Sequence, residues 1–513
     1  MSKLTKKLLM IFCLILLVLV VNSLIPITEG NPVIAGNGFD EDQLREMVYV
    51  YTEEELNEFY DSDHFKTLKS IDLETTEKPE EISYNKAIED IEYLFEILKY
   101  SYAGYQLFGG DENFLEARDK IISELETSFK NQDDITREEL INMIYQELGF
   151  INDNHFFLED RQLGQTSILF TSDRYKFTRN SEGDFQTKDE EILIAEDEIK
   201  VNQPETDTLQ LWPTISDGET VYYPGVLRGF SPQELEEIQQ EVNIQEKEFT
   251  REWEFTNKAE NTNESAELTL SVNDAYGGGY LEPADDIYNL TERNGVKVIE
   301  LRSLAPREDE DEKQLQKFVE DAKELQDEDK IIIDIRANSG GSSEYVEGWM
   351  KNFTGEEISR DLITLHLSTK SSRKVFKDNM VKMYGQQRAE EIIDMLAGFE
   401  IEPRGWPEPQ YVSQDKISND TEIIVLIDQM VMSAGEGFVN NFRNMENVEI
   451  YGTNTIGGYT VGNVGSTLLP NSKISLIFGV SLFLDADLVI REGIGRLPDY
   501  WLDQHEINEL FLD

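Results

Sequence analysis

The sequence of 513 residues has little cysteine, little histidine and few positive charges. Its single cysteine, Cys13, excludes internal disulfide bonds and zinc sites built from cysteine. The histidines form no HExxH pair or other cluster in the sequence, so no metal site is expected; they are His64, His155, His366 and His505. Lysine and arginine number 46 against 103 acidic residues, and the formal charge is −57. This charge argues against nucleic acid as a partner, because phosphate binding needs a basic face.

Hydrophobic residues are numerous enough for ordinary folded domains. They make up 39% of the chain, and aromatic residues make up 10%, which excludes a disordered acidic protein. A chain of this length is too long for one compact domain and suits two or three. We interpret the excess of negative charge as an aid to solubility outside the cell, with no specific partner implied.

The first 30 residues have the pattern of a targeting segment. Lys3, Lys6 and Lys7 precede an apolar run at residues 8–21, which is short for a bilayer span. This pattern predicts a secretory signal peptide over residues 1–30. An uncleaved membrane anchor is the alternative, because the end of this segment resembles a cleavage site only loosely. In either case we expect the protein to be secreted or anchored on the outer face of the cytoplasmic membrane.

Four regions follow this segment, and together they predict a multi-domain α/β protein. Residues 31–82 are acidic and weakly patterned, as in a linker or in solvated helices. Residues 83–160 carry apolar residues at helical spacing and predict a helical N-terminal domain, with a capping box at residues 136–139. Residues 161–290 contain short apolar runs between turn-forming residues, which predict a β-rich middle region. Over residues 291–513, strands and helices alternate, which predicts an α/β domain.

The alternation in this last region is regular enough to place individual elements. Three glycines at 277–279 predict a flexible turn before it. The predicted strands are residues 296–301, 330–335 and 422–427, and the predicted helices are residues 312–325, 343–353 and 434–445.

Two junctions between a buried strand and a helix carry residues capable of chemistry. In α/β sheets, ligands bind at the carboxyl ends of the strands, where both junctions lie. Ser433 stands where a loop turns into a helix, and the amides of the helix start would stabilise an oxyanion. Gly340 and Gly341 allow the other loop to approach a substrate carbonyl. A hydroxyl with two amide sources suits acyl transfer, although a serine at a helix start is also a common N-cap.

Five stretches of sequence resemble motifs of the S41 serine peptidases, a family that includes the tail-specific processing proteases and the tricorn core protease. Residues 334–341 match the family's Asp-x-Arg-x-Asn-x-Gly-Gly, and residues 433–436 match its Ser-Ala-x-Glu. Residues 452–457 match Gly-x-x-Thr-x-Gly, and residues 495–499 match the closing Gly-x-x-Pro-Asp. Residues 153–155 resemble the Asp-x-His that ends the family's helical N-terminal region.

The resemblance covers two parts of the chain, about 83–160 and 291–503. It implies an S41-type α/β catalytic core and a serine-type endopeptidase that acts on polypeptides without a cofactor or metal. Ser433 would be the nucleophile that carries the acyl-enzyme. The oxyanion hole would consist of the amides of Ala434 and of Gly340 or Gly341.

One position departs from the tail-specific members of the family. These proteases use a Ser-Lys dyad, and Gly458 occupies the place of the lysine, so a Ser-Lys mechanism is not expected. Other members, such as tricorn, use a histidine and a glutamate. The resemblance therefore implies His155 as general base and Glu492 as the group that orients the imidazole, with Asn154 shaping the site. The alternatives are a structural His155, a surface Glu492, and Lys473 as a base on a solvent-facing strand.

Two further expectations concern pH and function. A glutamate beside His155 would raise the pKa of the imidazole, so activity is expected to rise across roughly pH 6 to 8. The alternative function is a catalytically inactive relative that serves as a binding or scaffold protein. Residues 227–230 match the carboxylate-binding loop of a PDZ domain only weakly, so the middle region either binds substrate tails or forms a wall of the cleft. His366 and His505 lack a motif and are expected to be structural.

Overall fold

Twelve α-helices and 22 β-strands lie in the parts of the chain that the structure, a computed structural model, describes. The described residues are 39–74, 77–130, 134–189, 191–235, 247–276, 286–356, 362–395, 401–407, 409–412 and 416–512. The helices are α1 Glu41–Glu46, α2 Glu53–Asp61, α3 Asp63–Ser70, α4 Tyr84–Ser101, α5 Gly110–Ser128, α6 Arg137–Glu147, α7 Asp309–Asp321, α8 Ser343–Thr354, α9 Lys370–Tyr384, α10 Gln386–Met395, α11 Ala434–Arg443 and α12 Gln504–Ile507.

The strands form four sheets. They are β1 Glu81–Ile82, β2 Ile135–Thr136, β3 Phe157–Leu158, β4 Arg161–Gln162, β5 Thr166–Thr171, β6 Phe177–Arg179, β7 Phe185–Thr187, β8 Leu193–Ile194, β9 Leu209–Ser216, β10 Glu219–Phe230, β11 Glu248–Asn257, β12 Thr262–Val272, β13 Tyr288–Arg293, β14 Val296–Leu301, β15 Lys330–Asp334, β16 Leu362–His366, β17 Gln410–Val412, β18 Glu422–Ile427, β19 Val448–Gly452, β20 Val461–Leu468, β21 Ser475–Asp485 and β22 Tyr500–Trp501.

The central sheet has the order β13-β14-β15-β18-β19-β22. Only the β13–β14 pair is antiparallel; β14, β15, β18, β19 and β22 run parallel. Strands β15 and β18 are apolar because helices or loops cover both faces of the sheet. Their carboxyl ends lie side by side, since Asp334 is in register with Leu426. The two loops predicted to carry the chemistry therefore begin at the same edge.

Helices α7, α8 and α11 cover one face of the central sheet. Phe318, Trp349 and Phe438 are fully buried there and pack ring against ring with centroid separations of 5.6–6.0 Å. The opposite face is covered by the C-terminal segment, including Leu502 and Ile507. Two buried layers on a parallel sheet confirm the α/β domain predicted from the alternation of strands and helices.

The middle sheet consists of eight strands, β5 to β12, in antiparallel pairs. This confirms the β-rich middle region. Residues 227–230 lie inside β10 and pair with residues 166–169 of β5, so they form a strand and no carboxylate-binding loop. The middle sheet contacts the central sheet through Trp212 and Trp501, whose rings meet edge to face at 5.5 Å.

The N-terminal helices precede the turn that carries the Asp-x-His motif. Helix α6 begins with the predicted capping box, in which Thr136 and Glu139 each bind the other's backbone N–H. Helices α2 and α3, within the acidic region 31–82, bury apolar side chains, and Phe59 of α2 stacks on Tyr100 of α4 at 4.0 Å. After α6, the chain turns through residues 148–156 into β3, which pairs with β21. That turn contains His155.

Several predictions concern residues outside the described ranges. The targeting segment at residues 1–30 and the glycine turn at 277–279 are among them. Within the described ranges, none of the helices combines the length and apolar character that a membrane crossing requires. The chain divides into two units, residues 1–41 and residues 42–513, and only residues 39–41 of the first are described.

Candidate active site

Ser433 occupies a strained position directly before α11. Its backbone has φ 54° and ψ −122°, a region that residues other than glycine rarely adopt, and its side chain makes no capping hydrogen bond to the helix. The hydroxyl is therefore not an N-cap, which removes the structural alternative for this serine. Such backbone strain costs on the order of 1–3 kcal/mol and is found mainly at functional sites.

The loop of residues 335–341, here called the Gly340 loop, lies against Ser433. It is irregular because Ala337, Gly340 and Gly341 all have positive φ, at 62°, 92° and 141°. A Cβ atom on Gly340 would lie 2.9 Å from the Ala434 nitrogen, and one on Gly341 would lie 2.1 Å from the Leu304 carbonyl carbon. Both positions therefore require glycine.

The amide groups around Ser433 are not equally free to bind an oxyanion. The Gly340 N–H donates to the Asn338 side-chain oxygen at 2.9 Å, so it is already used inside its own loop. Within the described part of the chain, no hydrogen bond occupies the N–H of Gly341 or of Ala434. Of the two glycines predicted as alternatives, Gly341 is therefore the better donor to pair with Ala434.

His155, Asp153 and Glu492 come together on the other side of the site. A ring nitrogen of His155 and one carboxylate oxygen each of Asp153 and Glu492 lie within 4.8 Å of one another. Asp153 accepts the His155 backbone N–H at 2.7 Å and the Tyr102 hydroxyl at 2.7 Å. The structure thus brings together two of the predicted site residues and adds Asp153, whose signal in the sequence is its place two residues before the histidine.

Glu492 binds backbone rather than the imidazole ring. Its two carboxylate oxygens accept the N–H groups of Asn154 at 3.1 Å and Thr460 at 2.9 Å. Among the described residues, no hydrogen bond links the His155 ring to Glu492 or to Ser433, and the buried His155 Nδ1 has no partner. Glu492 is buried, which contradicts its reading as a surface carboxylate.

Burial controls the ionisation of these groups. It lowers the pKa of His155 to about 4, because no hydrogen bond to a carboxylate offsets the loss of hydration. The expected rise of this pKa is therefore wrong for the arrangement described. Burial raises the pKa of Asp153 and of Glu492, and the negative charge of Asp153 raises that of Glu492 further. Two buried carboxyls at this separation cannot both ionise readily near neutral pH.

The loop of residues 453–460, here called the Gly458 loop, touches both sides of the site. Its Gly458 carbonyl accepts the Ser433 N–H at 3.0 Å, and its Gly457 carbonyl accepts the Asn154 side-chain N–H at 3.0 Å. The predicted role of Asn154 in shaping the site agrees with these contacts. A Cβ atom on Gly458 would lie 2.8 Å from Met432 Cε and 3.1 Å from Asn154 Cβ. Position 458 thus has little room for a side chain.

The remaining candidates lie elsewhere. Lys473 is in the turn between β20 and β21, with φ 58°, and its ammonium donates to the Pro470 carbonyl at 2.6 Å. The prediction that Lys473 lies on a strand was wrong: the residue lies between the end of β20 and the start of β21. His366 is buried in β16, where its Nδ1 lies 2.7 Å from the Ser481 hydroxyl.

Metal binding has one candidate group in the described ranges, formed by Asp153, His155 and Glu492. Imidazole nitrogen and carboxylate oxygen are zinc ligands in general. Each of these two carboxylates, however, already accepts two hydrogen bonds from the protein. The carboxylates are used in holding the turn at residues 153–155, and we assign no ion to the group.

Behind the Gly340 loop lies a buried group of charges that the sequence did not suggest. Asp334 binds Arg336 and Arg302, each with a nitrogen–oxygen distance of 2.8 Å. Burial alone would raise the pKa of Asp334, but the two guanidinium groups hold it below its usual range. Asp428, at the end of β18, accepts the N–H groups of Ala337 and Met430. Its signal in the sequence is a carboxylate directly after a buried strand.

One family profile matches part of the chain. Residues 295–499 match the profile of peptidase family S41. The matched region contains both the Gly340 loop and Ser433. No curated protein is significantly similar to the sequence.

Several solved structures match the chain at low sequence identity and with TM-scores below 0.5. Mature CPAF has 13% identity and a TM-score of 0.42, with 81% of this chain and 92% of that chain covered. A putative peptidase from Parabacteroides merdae has 15% identity and a TM-score of 0.39, with 82% and 89% covered. The photosystem II D1 C-terminal processing protease has 12% identity and a TM-score of 0.35, with 82% and 93% covered. These likenesses are distant.

Proposed function

We propose that the protein is an exported serine endopeptidase that hydrolyses peptide bonds through an acyl-enzyme on Ser433. The observation that carries this proposal is the strained, uncapped Ser433 at the start of a buried helix, facing a glycine loop. A hydroxyl held in such a turn points away from its own helix and is available to attack a carbonyl. Export is proposed from the targeting pattern of residues 1–30.

In the first step, the Ser433 oxygen attacks the substrate carbonyl, and His155 takes the hydroxyl proton. The negative charge that develops on the carbonyl oxygen is stabilised by the N–H groups of Ala434 and Gly341. The peptide C–N bond then breaks, and the leaving amine takes its proton from His155. Water attacks the ester by the reverse sequence, which releases the carboxylic product and restores Ser433.

His155 suits the role of base for two reasons. Its lowered pKa keeps the ring neutral at physiological pH, and a base must be neutral to accept a proton. The carboxyl groups of Asp153 and Glu492 lie close enough to stabilise the imidazolium once it forms. The reaction requires the His155 ring within hydrogen-bond reach of Ser433, and catalytic hydrogen bonds often tighten only when substrate binds.

Labelling with a fluorophosphonate probe tests this proposal. The probe should form a covalent adduct on Ser433, identified by mass spectrometry of the digested protein, and Ser433→Ala should abolish labelling. Ser62→Ala is the matched control, because Ser62 also starts a helix but caps it with its side chain. An unlabelled wild-type protein between pH 6 and 9, with an intact fold, would instead identify the chain as an inactive binding or scaffold protein.

A further inference from the structure

Asp428 connects the two loops that form the proposed oxyanion hole. It directly follows β18, and its single oxygen Oδ1 accepts the Ala337 N–H at 2.9 Å and the Met430 N–H at 3.0 Å. Ala337 belongs to the Gly340 loop, and Met430 belongs to the segment 428–433 that ends at the nucleophile. One carboxylate oxygen therefore fixes the starting points of both loops relative to each other.

The contact at Asp428 is the first of three along the two loops. The second is a hydrogen bond from the Met432 N–H to the Asn338 carbonyl, at 3.1 Å. The third is the close approach of Gly340 to the backbone on either side of Ser433. Along both loops, each contact lies closer to the catalytic serine than the one before it. The separation of the two oxyanion donors thus depends on where Asp428 holds the base of the loops.

The conformation of Ala337 explains why this position needs an acceptor. Its φ of 62° is unfavourable for a residue with a Cβ atom, so the chain must be held there by other contacts. A side-chain oxygen at this position, of a carboxylate or an amide, can accept both N–H groups and hold the chain there. Asp428 is 7% exposed, so water competes little for its oxygen.

Ion pairing does not account for the presence of a buried carboxylate at this position. The charges of Asp334 and Arg336 influence the pKa of Asp428. Asp428 in turn influences the pKa of Arg302. Asp334, not Asp428, accepts the hydrogen bonds of the two arginines. In the described part of the chain, Asp428 Oδ2 has no hydrogen-bond partner. The contacts that Asp428 makes are those to the two loops.

We propose that Asp428 is a positioning residue for the oxyanion hole, which sets the distance between the Gly341 and Ala434 donors through the bases of their loops. The inference rests on the proposed function, since it assigns Asp428 to the same reaction. It predicts an effect on the transition state and little effect on substrate binding, because the oxyanion exists only after attack.

The test compares three variants by steady-state kinetics on a peptide substrate and by the rate of fluorophosphonate labelling. Asp428→Ala removes the acceptor and should lower kcat by about 100-fold with KM little changed. Asp428→Asn keeps an oxygen at the Oδ1 position and should restore kcat to within about threefold of the wild type. Asp90→Ala is the matched control, because buried Asp90 also accepts two backbone N–H groups, those of Asn471 and Ser472.

The control separates lost positioning from lost stability. Asp90→Ala should lower the melting temperature as much as Asp428→Ala does, yet keep kcat near that of the wild type. The inference is overturned if Asp428→Ala labels and turns over as fast as Asp90→Ala, or if Asp428→Asn, shown to be folded by circular dichroism, is as slow as Asp428→Ala. A wild-type protein that never labels at Ser433 would instead refute the proposed function.

Discussion

Gly340 lies so close to Ser433 that a Cβ atom on the glycine would stand 2.9 Å from the Cβ of the serine. The same atom would lie 2.7 Å from the Met432 carbonyl oxygen. These separations are shorter than real side chains tolerate, and two of the neighbouring atoms belong to the backbone. Ser433 and the Gly340 loop are thus in direct contact at a point where neither can move alone.

Gly340→Ala should therefore disturb the site more than the fold. We expect kcat to fall by at least about 100-fold, because the added methyl group displaces Ser433 or Ala434. The strain at φ 92° should also lower the free energy of unfolding by roughly 1–3 kcal/mol. Gly355→Ala is the control: its φ is 76°, but nothing lies within 4 Å of the added atom. Equal activity of the two variants would show that the methyl group at position 340 does not displace Ser433 or Ala434.

His155→Ala should lower kcat by several orders of magnitude, as Ser433→Ala does, because a nucleophile and its base act as a unit. His366→Ala is a matched control, since burial lowers the pKa of His366 to about 4 as well, and its Nδ1 lies 2.7 Å from the Ser481 hydroxyl in β21. Lys473→Ala should have little effect, because its ammonium binds the Pro470 carbonyl. Loss of activity in Lys473→Ala with normal turnover in His155→Ala would assign the base to the lysine.

The pH dependence should differ from that of an exposed histidine. A base is active when it has lost its proton, so activity rises as pH increases through its pKa. With the pKa of His155 lowered to about 4, the ring is already neutral at pH 5.5. We expect kcat/KM at pH 5.5 and pH 7.5 to agree within about twofold. A steep rise between pH 6 and 8 would show that ionisation of Asp153 or Glu492 controls the rate.

Glu492→Gln should lower both activity and stability. An amide has one acceptor oxygen, so one of the two N–H groups now bound, that of Asn154 or of Thr460, must face an NH₂ group. Leaving a buried donor unpaired costs about 1–3 kcal/mol, measurable by chemical denaturation. Asp90→Asn makes the same exchange at a distant turn and should lose stability alone. If both variants keep full activity, Glu492 does not hold the turn that contains His155.

Strand positions in the central sheet follow closely from the sequence. Val296–Leu301 and Glu422–Ile427 occupy the predicted residues, because a buried strand is an apolar run bounded by polar residues. Helix ends were less accurate. The helix predicted at 312–325 is Asp309–Asp321, since acidic residues favour the first turn and a 3₁₀ turn follows at Ala322–Glu324. Helix α11 ends at Arg443, two residues earlier than predicted.

The site was predictable only in part, because much of it consists of contacts between side chains and distant backbone. Ser433 and the glycine pair belong to local motifs, so sequence spacing found them. The pairing of Glu492 with Asn154 joins residues 338 positions apart, and no local pattern encodes it. The contacts of Asp428 with Ala337 arise from the parallel pairing of β15 and β18. For a residue such as Asp428, the signal available in the sequence was a carboxylate directly after a buried strand.

The packing of Met432 against Gly458 restricts which residues position 458 can hold. A lysine at position 458 would collide with the Met432 side chain, whose Cε and Cγ lie 2.8 and 2.9 Å from the position of a new Cβ. Substitution of Gly458 alone would therefore lower stability before any new proton acceptor could work. A side chain at position 458 would therefore require a smaller residue at position 432. The side chains packed on Gly458 thus keep this position for glycine.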